Sequence, residues 1–489
     1  MTREPHESGK YAVLEMLRIA GPTVATMSSY TAMTFSDKWL CSLIGPEPIY
    51  VGAQGNGGLA SWVPISLAYG LLNVINPFVA QNMGAGKPER GPAYVWNGLW
   101  LGLLYWALLL VPYSFAVPWV LRSAGVDEAQ ATLGAEYGRI LLWGAGINLS
   151  TRAVGHFFYG MHRAGVVMVA GVSANLVNLA LSAVLIFGPD PAAQLGSPGE
   201  WAAWVARLLH IPAMGVAGSA WGTVIATVVE LAIPAAVFLG PKMNRALRTR
   251  AAWRPSAAHI RDLLRVGWPQ AAMFGNEMIC WGYFMVHLVS HFGVHHATAG
   301  WIAHQYMSLS FMPAVGLSVA CSALVGKYQG MNRSDLAARR AWLTVASAIV
   351  YMGLCAVAFV VFREPLVRLF IRSDTPPEAA RTLVTLGGQF MIATAAFQLF
   401  DAVAMTISGA LRGAGDTLVP GLATVALAWT VLVAGGTALT HLAPSLESLG
   451  AWVAAASYIA LLCVFVLVRF LGGSWRKIRL VKSEPPIPA

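Results

Sequence analysis

Long apolar runs alternate with short polar connections along the whole chain, and no run shows the two-residue alternation of a half-buried strand. Twelve runs are long enough to cross a bilayer as helices: 12–44, 57–82, 93–118, 131–160, 165–188, 212–240, 263–292, 297–328, 341–362, 379–411, 416–441 and 448–471. The pattern predicts an all-α membrane protein of twelve transmembrane helices. Prolines inside the runs, such as Pro22, Pro64, Pro77, Pro269 and Pro313, predict bends whose freed backbone groups need neighbouring partners.

The pattern repeats at half the chain length. Leu17-Arg18-Ile19 with Pro22 matches Leu264-Arg265-Val266 with Pro269 at a shift of 247, and Gly84, Lys87 and Glu89 match Gly330, Arg333 and Asp335 at 246. Phe115 and Pro118 match Phe362 and Pro365 at 247, and Gly165 matches Gly415 at 250. A repeat holding an even number of spans gives two six-helix bundles of the same orientation. A pseudo-twofold axis along the membrane normal and a site where the bundles meet are expected. The N-terminal lobe is read as 1–240, a cytoplasmic linker as 241–262, the C-terminal lobe as 263–471 and a cytoplasmic tail as 472–489. The linker is arginine-rich and contains Pro241, Trp253 and Pro255, which suits a segment lying at the interface.

Composition agrees with this picture. The chain is 57% hydrophobic and 11% charged, where soluble domains carry about 25% charged residues. The net charge of +10 raises the question of nucleic acid, but 23 of the 32 Lys and Arg residues fall on one side of the twelve-span topology and six on the other. That asymmetry reports orientation, with both termini cytoplasmic, rather than a nucleic-acid partner. No secretory signal is expected, because the first ten residues are polar and the apolar run that follows is too long. The five cysteines lie scattered in apolar runs and read as buried thiols.

Ionisable residues inside the spans carry the chemistry. Asp401 lies in Gln389–Thr417, 11 residues before Arg412, or roughly 16 Å along a helix. That is near the midplane of a ~30 Å apolar core. Glu277 lies about 14 residues from either end of its span, also near the midplane. Intramembrane acids mark ion or substrate pathways, and two of them can hold one Na⁺ or share a proton. His287, His291, His295 and His296 superficially match the boxes of a membrane di-iron oxygenase, but the remaining histidines form no second box. Glu136 and Arg139 are spaced to pair on one helix face, and Arg152 on the same span is read as paired or snorkelling, with substrate contact the lesser alternative. Trp62, Trp281 and Trp301 are candidates to stack on cationic ligands.

Four segments resemble the multidrug and toxic compound extrusion (MATE) transporters, particularly the NorM-type branch. They are Gln81-Asn82-Met83-Gly84-Ala85-Gly86-Lys87, Asn175 to Asn178 running on to Ile186-Phe187-Gly188, Gly215 to Ala220, and Ala410 to Thr417. The resemblance implies two lobes forming a V and antiport of small organic, cationic substrates against Na⁺ or H⁺. It also implies a multi-pass protein of the bacterial inner membrane that functions as a monomer, with no cofactor, no nucleic-acid partner and no metal beyond Na⁺ at Glu277 and Asp401. Those two residues match the acids of the family's C-terminal-lobe cation site. The tyrosine one turn before the second acid is Phe397 here, and Asn276 and Gln398 are the polar residues able to help. Asp37 matches the family's span-one aspartate, and Asn178 and Thr223 match partners in the N-lobe sodium site of archaeal and related members. Ser182 stands where that site has a second aspartate. A hard cation wants anionic oxygens, so protonation is expected of Asp37 rather than Na⁺ binding. A lipid-linked oligosaccharide flippase is the alternative of related fold.

Overall fold

The computed structural model describes residues 9–45, 49–190, 195–371 and 376–481. Arg3, Arg372, Lys482 and the end of the tail, which entered the charge count, lie outside them. Among the described residues there is no strand, and twelve long helices follow one another. They are α1 (Gly9–Ser42), α2 (Ile49–Gly84), α3 (Pro88–Ser123), α4 (Glu128–Gly160), α5 (Ala164–Phe187) and α6 (Gly215–Leu239) in the first half. The second half holds α7 (Ala257–Tyr283), α8 (Val294–Gly330), α9 (Ser334–Val361), α10 (Pro377–Ala414), α11 (Leu418–Leu442) and α12 (Ser448–Leu471). Nine of these are apolar enough to span a membrane on composition alone. The other three, α1, α4 and α7, carry Asp37, Arg152 and Glu277, and their charges lower their hydropathy.

Local sequence explains the interruptions. Pro77 has no N–H to offer the carbonyl of Asn73, and α2 breaks at Asn73-Val74. Short π-helical stretches interrupt α3 at Trp106–Leu110 and α11 at Ala428–Gly435, and one at Phe284–Val289 continues α7. The connection between α5 and α6 holds a helix the hydropathy did not reveal, Ser197–Leu209. Its Trp201, Trp204 and Leu208 are exposed along one face, as in an interfacial helix.

Packing divides the chain into two compact units. The first comprises the residues up to Val24, Asn76–Gly86 and everything from Trp268 on. The second comprises Ala25–Ile75 and Lys87–Gly267. The divisions within α1, α2 and α7 fall close to Pro22, Pro77 and Pro269.

In the first unit, Phe284, Phe390, Trp452 and Tyr458 form one buried cluster, and Tyr328, Leu411, Phe470 and Trp475 another. The end of α2 is built into this unit. Gln81 donates to the carbonyls of Gly413 (3.0 Å) and Ala414 (3.1 Å) and accepts from Leu480 N (2.9 Å). Two repeat-related glycines make the same contact with partners exchanged. A Cβ on Gly84 would lie 1.9 Å from the Lys327 carbonyl, and one on Gly330 would lie 2.1 Å from the Gln81 carbonyl. Each glycine meets the repeat mate of the residue that the other meets, which is the signature of a local twofold. Gly86 and Asn332, one step further at the same shift, are both left-handed, with φ of 73° and 58°. The match between Gly165 and Gly415 is not structural. Gly415 ends α10 at φ 94°, whereas Gly165 sits inside the first turn of α5.

In the second unit, α2 packs on α4 through small residues. A Cβ on Gly57 would lie 2.1 Å from the Gly134 carbonyl. The linker is strapped to α3: Trp96 Nε1 donates to Thr249 O, Trp100 Nε1 donates to Trp253 O, and Asn97 Oδ1 accepts from Ser256 N.

Candidate cation and substrate sites

Glu277 sits on α7 two turns past Pro269, with Trp281 four residues on and therefore on the same face. Trp281 Nε1 donates to Glu277 Oε2 at 3.0 Å, and the Tyr458 hydroxyl of α12 donates to Oε1. Both carboxylate oxygens are thus capped by neutral donors, and no cation pairs with the group among the described residues. Asp401 on α10 lies within electrostatic reach of Glu277, Tyr458 and Cys463. It is half-buried and accepts no hydrogen bond from the described residues. The arrangement sets a capped carboxylate beside an uncapped one.

The expected polar helpers divide. Asn276 Oδ1 accepts from Trp429 Nε1 at 2.7 Å, leaving its buried Nδ2 without a partner. Gln398 turns to Ser310 Oγ (2.8 Å) and bonds neither acid. Phe397 is core, 1% exposed. The phenol absent from that position is supplied by Tyr458, 57 residues after Asp401 and invisible to any local pattern. Its one sequence signal is that it is the lone tyrosine of its span. Trp281, a candidate to stack on ligands, gives its N–H to Glu277.

Asp37, Asn178, Ser182 and Thr223 come together in the second unit. Asp37 is 5% exposed. Its Oδ1 accepts from Ser182 Oγ (3.3 Å) and its Oδ2 from Thr223 Oγ1 (3.2 Å). Thr223 Oγ1 also accepts from Asn178 Nδ2 (3.3 Å) and lies 3.1 Å from the Ser219 carbonyl. One hydroxyl proton therefore faces two acceptors, Asp37 and Ser219. Thr223 can cap an ionised Asp37. It can equally turn its proton to Ser219 and accept one from a neutral Asp37.

The remaining candidates serve elsewhere. His296 bonds Ser448 (2.7 Å) and lies 3.5 Å from Glu447, while His291 meets His441 edge-on. Among the described residues no group of three or more His, Cys, Asp or Glu is placed to hold a metal. Glu136 and Arg139 do not pair: Glu136 points outward, exposed, and the buried Arg139 Nε has no partner. Arg152 is not paired to a carboxylate either; it lies over the rings of Tyr30 and Tyr69.

The MatE family model matches residues 22–184 and 273–435, one stretch in each half and together about two thirds of the chain. A probable multidrug resistance protein NorM from Mesorhizobium japonicum is 26% identical, over 96% of this chain and 96% of its own. Among solved structures, a MOP superfamily transporter from Pyrococcus furiosus superposes with a TM-score of 0.81 at 20% identity, covering 95% of this chain and 96% of that one. A MATE crystal structure in the straight conformation gives 0.80 at 21% identity, over 95% and 96%. The structures share the fold, and the family match covers both halves of the repeat. The chain belongs to the MatE family and is a multi-pass membrane transporter of the multidrug efflux kind, not an enzyme.

Proposed function

We propose that the protein exports amphipathic, cationic compounds in exchange for Na⁺ or H⁺ by alternating access. It acts as a monomer in the bacterial inner membrane with both termini cytoplasmic. The observation that carries this reading is the acid pair: Glu277 capped by Tyr458 and Trp281, and Asp401 beside it with no donor. A carboxylate held away from hydrogen-bond donors and other cations is the group most readily satisfied by an incoming cation, whether Na⁺, a proton or an organic ammonium. These ligands then compete for one charge. Exchange needs the coupling ion and the substrate to favour different states. The moving bodies in this scheme are the lobes 1–240 and 263–471, joined by 241–262, with residues 9–24 and 76–86 travelling with the second.

Asp37 takes the proton in this scheme and not the sodium ion. Its partners are the hydroxyls of Ser182 and Thr223 and the amide of Asn178, and no second carboxylate joins them among the described residues. The two-acceptor hydroxyl of Thr223 accommodates either protonation state. Efflux of a cationic dye from vesicles, with Na⁺ and H⁺ gradients imposed separately, tests the proposal. Stimulation by either gradient supports it, and indifference to both refutes it.

A further inference from the structure

The second unit holds a second charged cluster that the acid sites do not use. The Arg152 guanidinium on α4 lies 5.0 Å from the Tyr30 ring centroid and 4.4 Å from that of Tyr69. One N–H also faces the Tyr69 hydroxyl, and a guanidinium has five N–H donors, so others remain for a ligand. The phenols are occupied elsewhere: Tyr30 donates to Glu230 Oε1 and Tyr69 to Asn148 Oδ1. Glu230 on α6 is 9% exposed, lies within electrostatic reach of Arg152, and makes no ion pair with it. Its Oε2 has no hydrogen-bond partner among the described residues. Trp62 adds a third ring, 4.8 Å from Tyr69 and 37% exposed. A guanidinium with donors beyond the one on Tyr69, a buried carboxylate with an open oxygen and aromatic walls therefore stand together, with no ion pair between the two charges.

The repeat gives this cluster a second meaning. Tyr30 is 247 residues before Glu277, the shift that relates Leu17-Arg18 to Leu264-Arg265. Arg152 falls within one turn of the position that the two matched halves pair with Asp401. In each half a phenol donates to a glutamate between the first and last helices, with the partners interchanged: Tyr30 to Glu230 in one, Tyr458 to Glu277 in the other. The C-terminal half completes its trio with an acid, and the N-terminal half completes its trio with a cation.

We infer that Arg152, Glu230, Tyr30 and Tyr69 form a ligand site for the carboxylate-bearing, zwitterionic members of the substrate class. The ligand's carboxylate sits on Arg152, its positive end faces Glu230 and its aromatic body lies against the rings. This deepens the efflux reading and rests on it. The acids Glu277 and Asp401 hold cations; Arg152 admits molecules that carry an anion as well.

The test uses purified full-length protein and a matched dye pair, a rhodamine with a free benzoate and its methyl ester, followed by fluorescence polarisation at fixed salt. Arg152→Gln should weaken the acid about tenfold, as expected for a lost charge-assisted contact, and leave the ester within about twofold. Arg152→Lys keeps the charge without the planar fork and should fall between. It also serves as the variant if Arg152→Gln does not fold. Equal effects on acid and ester, or no effect of either substitution, overturn the inference. Ester binding to Asp401→Asn tests the efflux reading separately: if that variant binds ester like wild type, the cation assignment fails while the acid-specific result at Arg152 stands.

Discussion

Glu15 anchors the first turns of α1 inside the first unit, and its removal should cost more stability than any other single charge change. Its Oε1 meets Lys327 Nζ at 2.6 Å, and its Oε2 meets Arg340 Nε at 2.9 Å and the Tyr328 hydroxyl at 2.7 Å. Glu15 is 8% exposed and Arg340 3%. Two unit charges about 4 Å apart attract by roughly 4 kcal/mol at an effective dielectric near 20, and desolvation offsets much of that. Removing the acid strands two cations, and breaking a buried pair this way costs about 3–5 kcal/mol. The Tyr328 ring, with Lys327 and Arg340 each about 5 Å from its centroid, returns only ~1 kcal/mol. Glu15→Gln keeps the shape and should lose about 3 kcal/mol. The double variant Glu15→Leu with Arg340→Leu removes both buried charges and should recover most of that, since apolar replacement of a buried pair is often neutral. Equilibrium unfolding in mixed micelles, followed by far-ultraviolet circular dichroism, measures both. A Glu15→Gln midpoint equal to wild type, or a double variant weaker than the single, refutes the reasoning.

Three further outcomes follow from the same geometry. Asp401→Asn should abolish coupled efflux and leave membrane insertion intact; dye resistance in a pump-deficient host that survives the substitution removes Asp401 from the mechanism. Gly330→Ala places a methyl against the Gln81 carbonyl and should cost about 1–3 kcal/mol, read as a lowered unfolding midpoint; an unchanged midpoint means the helices separate freely there. Tags at both ends should resist external protease in intact cells, and cleavage of either overturns the orientation.

Hydropathy and the repeat were enough to read the twelve long helices and the match of Gly84 with Gly330, though not the helix Ser197–Leu209. The acids were legible because a carboxylate in an apolar run has few structural uses. Their surroundings were less so. Trp281, one turn from Glu277, was within reach of helical spacing, but Tyr458 lies 181 residues away and only the fold brings it there. Gln398 stands three residues before Asp401, about 60° away around the helix, yet its amide goes to Ser310 of α8, a partner that only the fold supplies. Glu15 is legible only through the fold, because Lys327, Tyr328 and Arg340 come from α8 and α9. For Arg152 pairing or snorkelling reads ahead of substrate contact in the sequence, because the rings it lies over come from α1 and α2.

The central claim is that ion coupling belongs to Glu277 and Asp401, with Asp37 acting through a proton. Na⁺ titration of dye efflux in vesicles containing wild type, Glu277→Gln or Asp37→Asn tests it most directly. Any Na⁺ stimulation of wild type should be mostly lost in Glu277→Gln and kept in Asp37→Asn, whose pH dependence should change instead. Loss of Na⁺ stimulation in Asp37→Asn with full stimulation in Glu277→Gln would contradict the account.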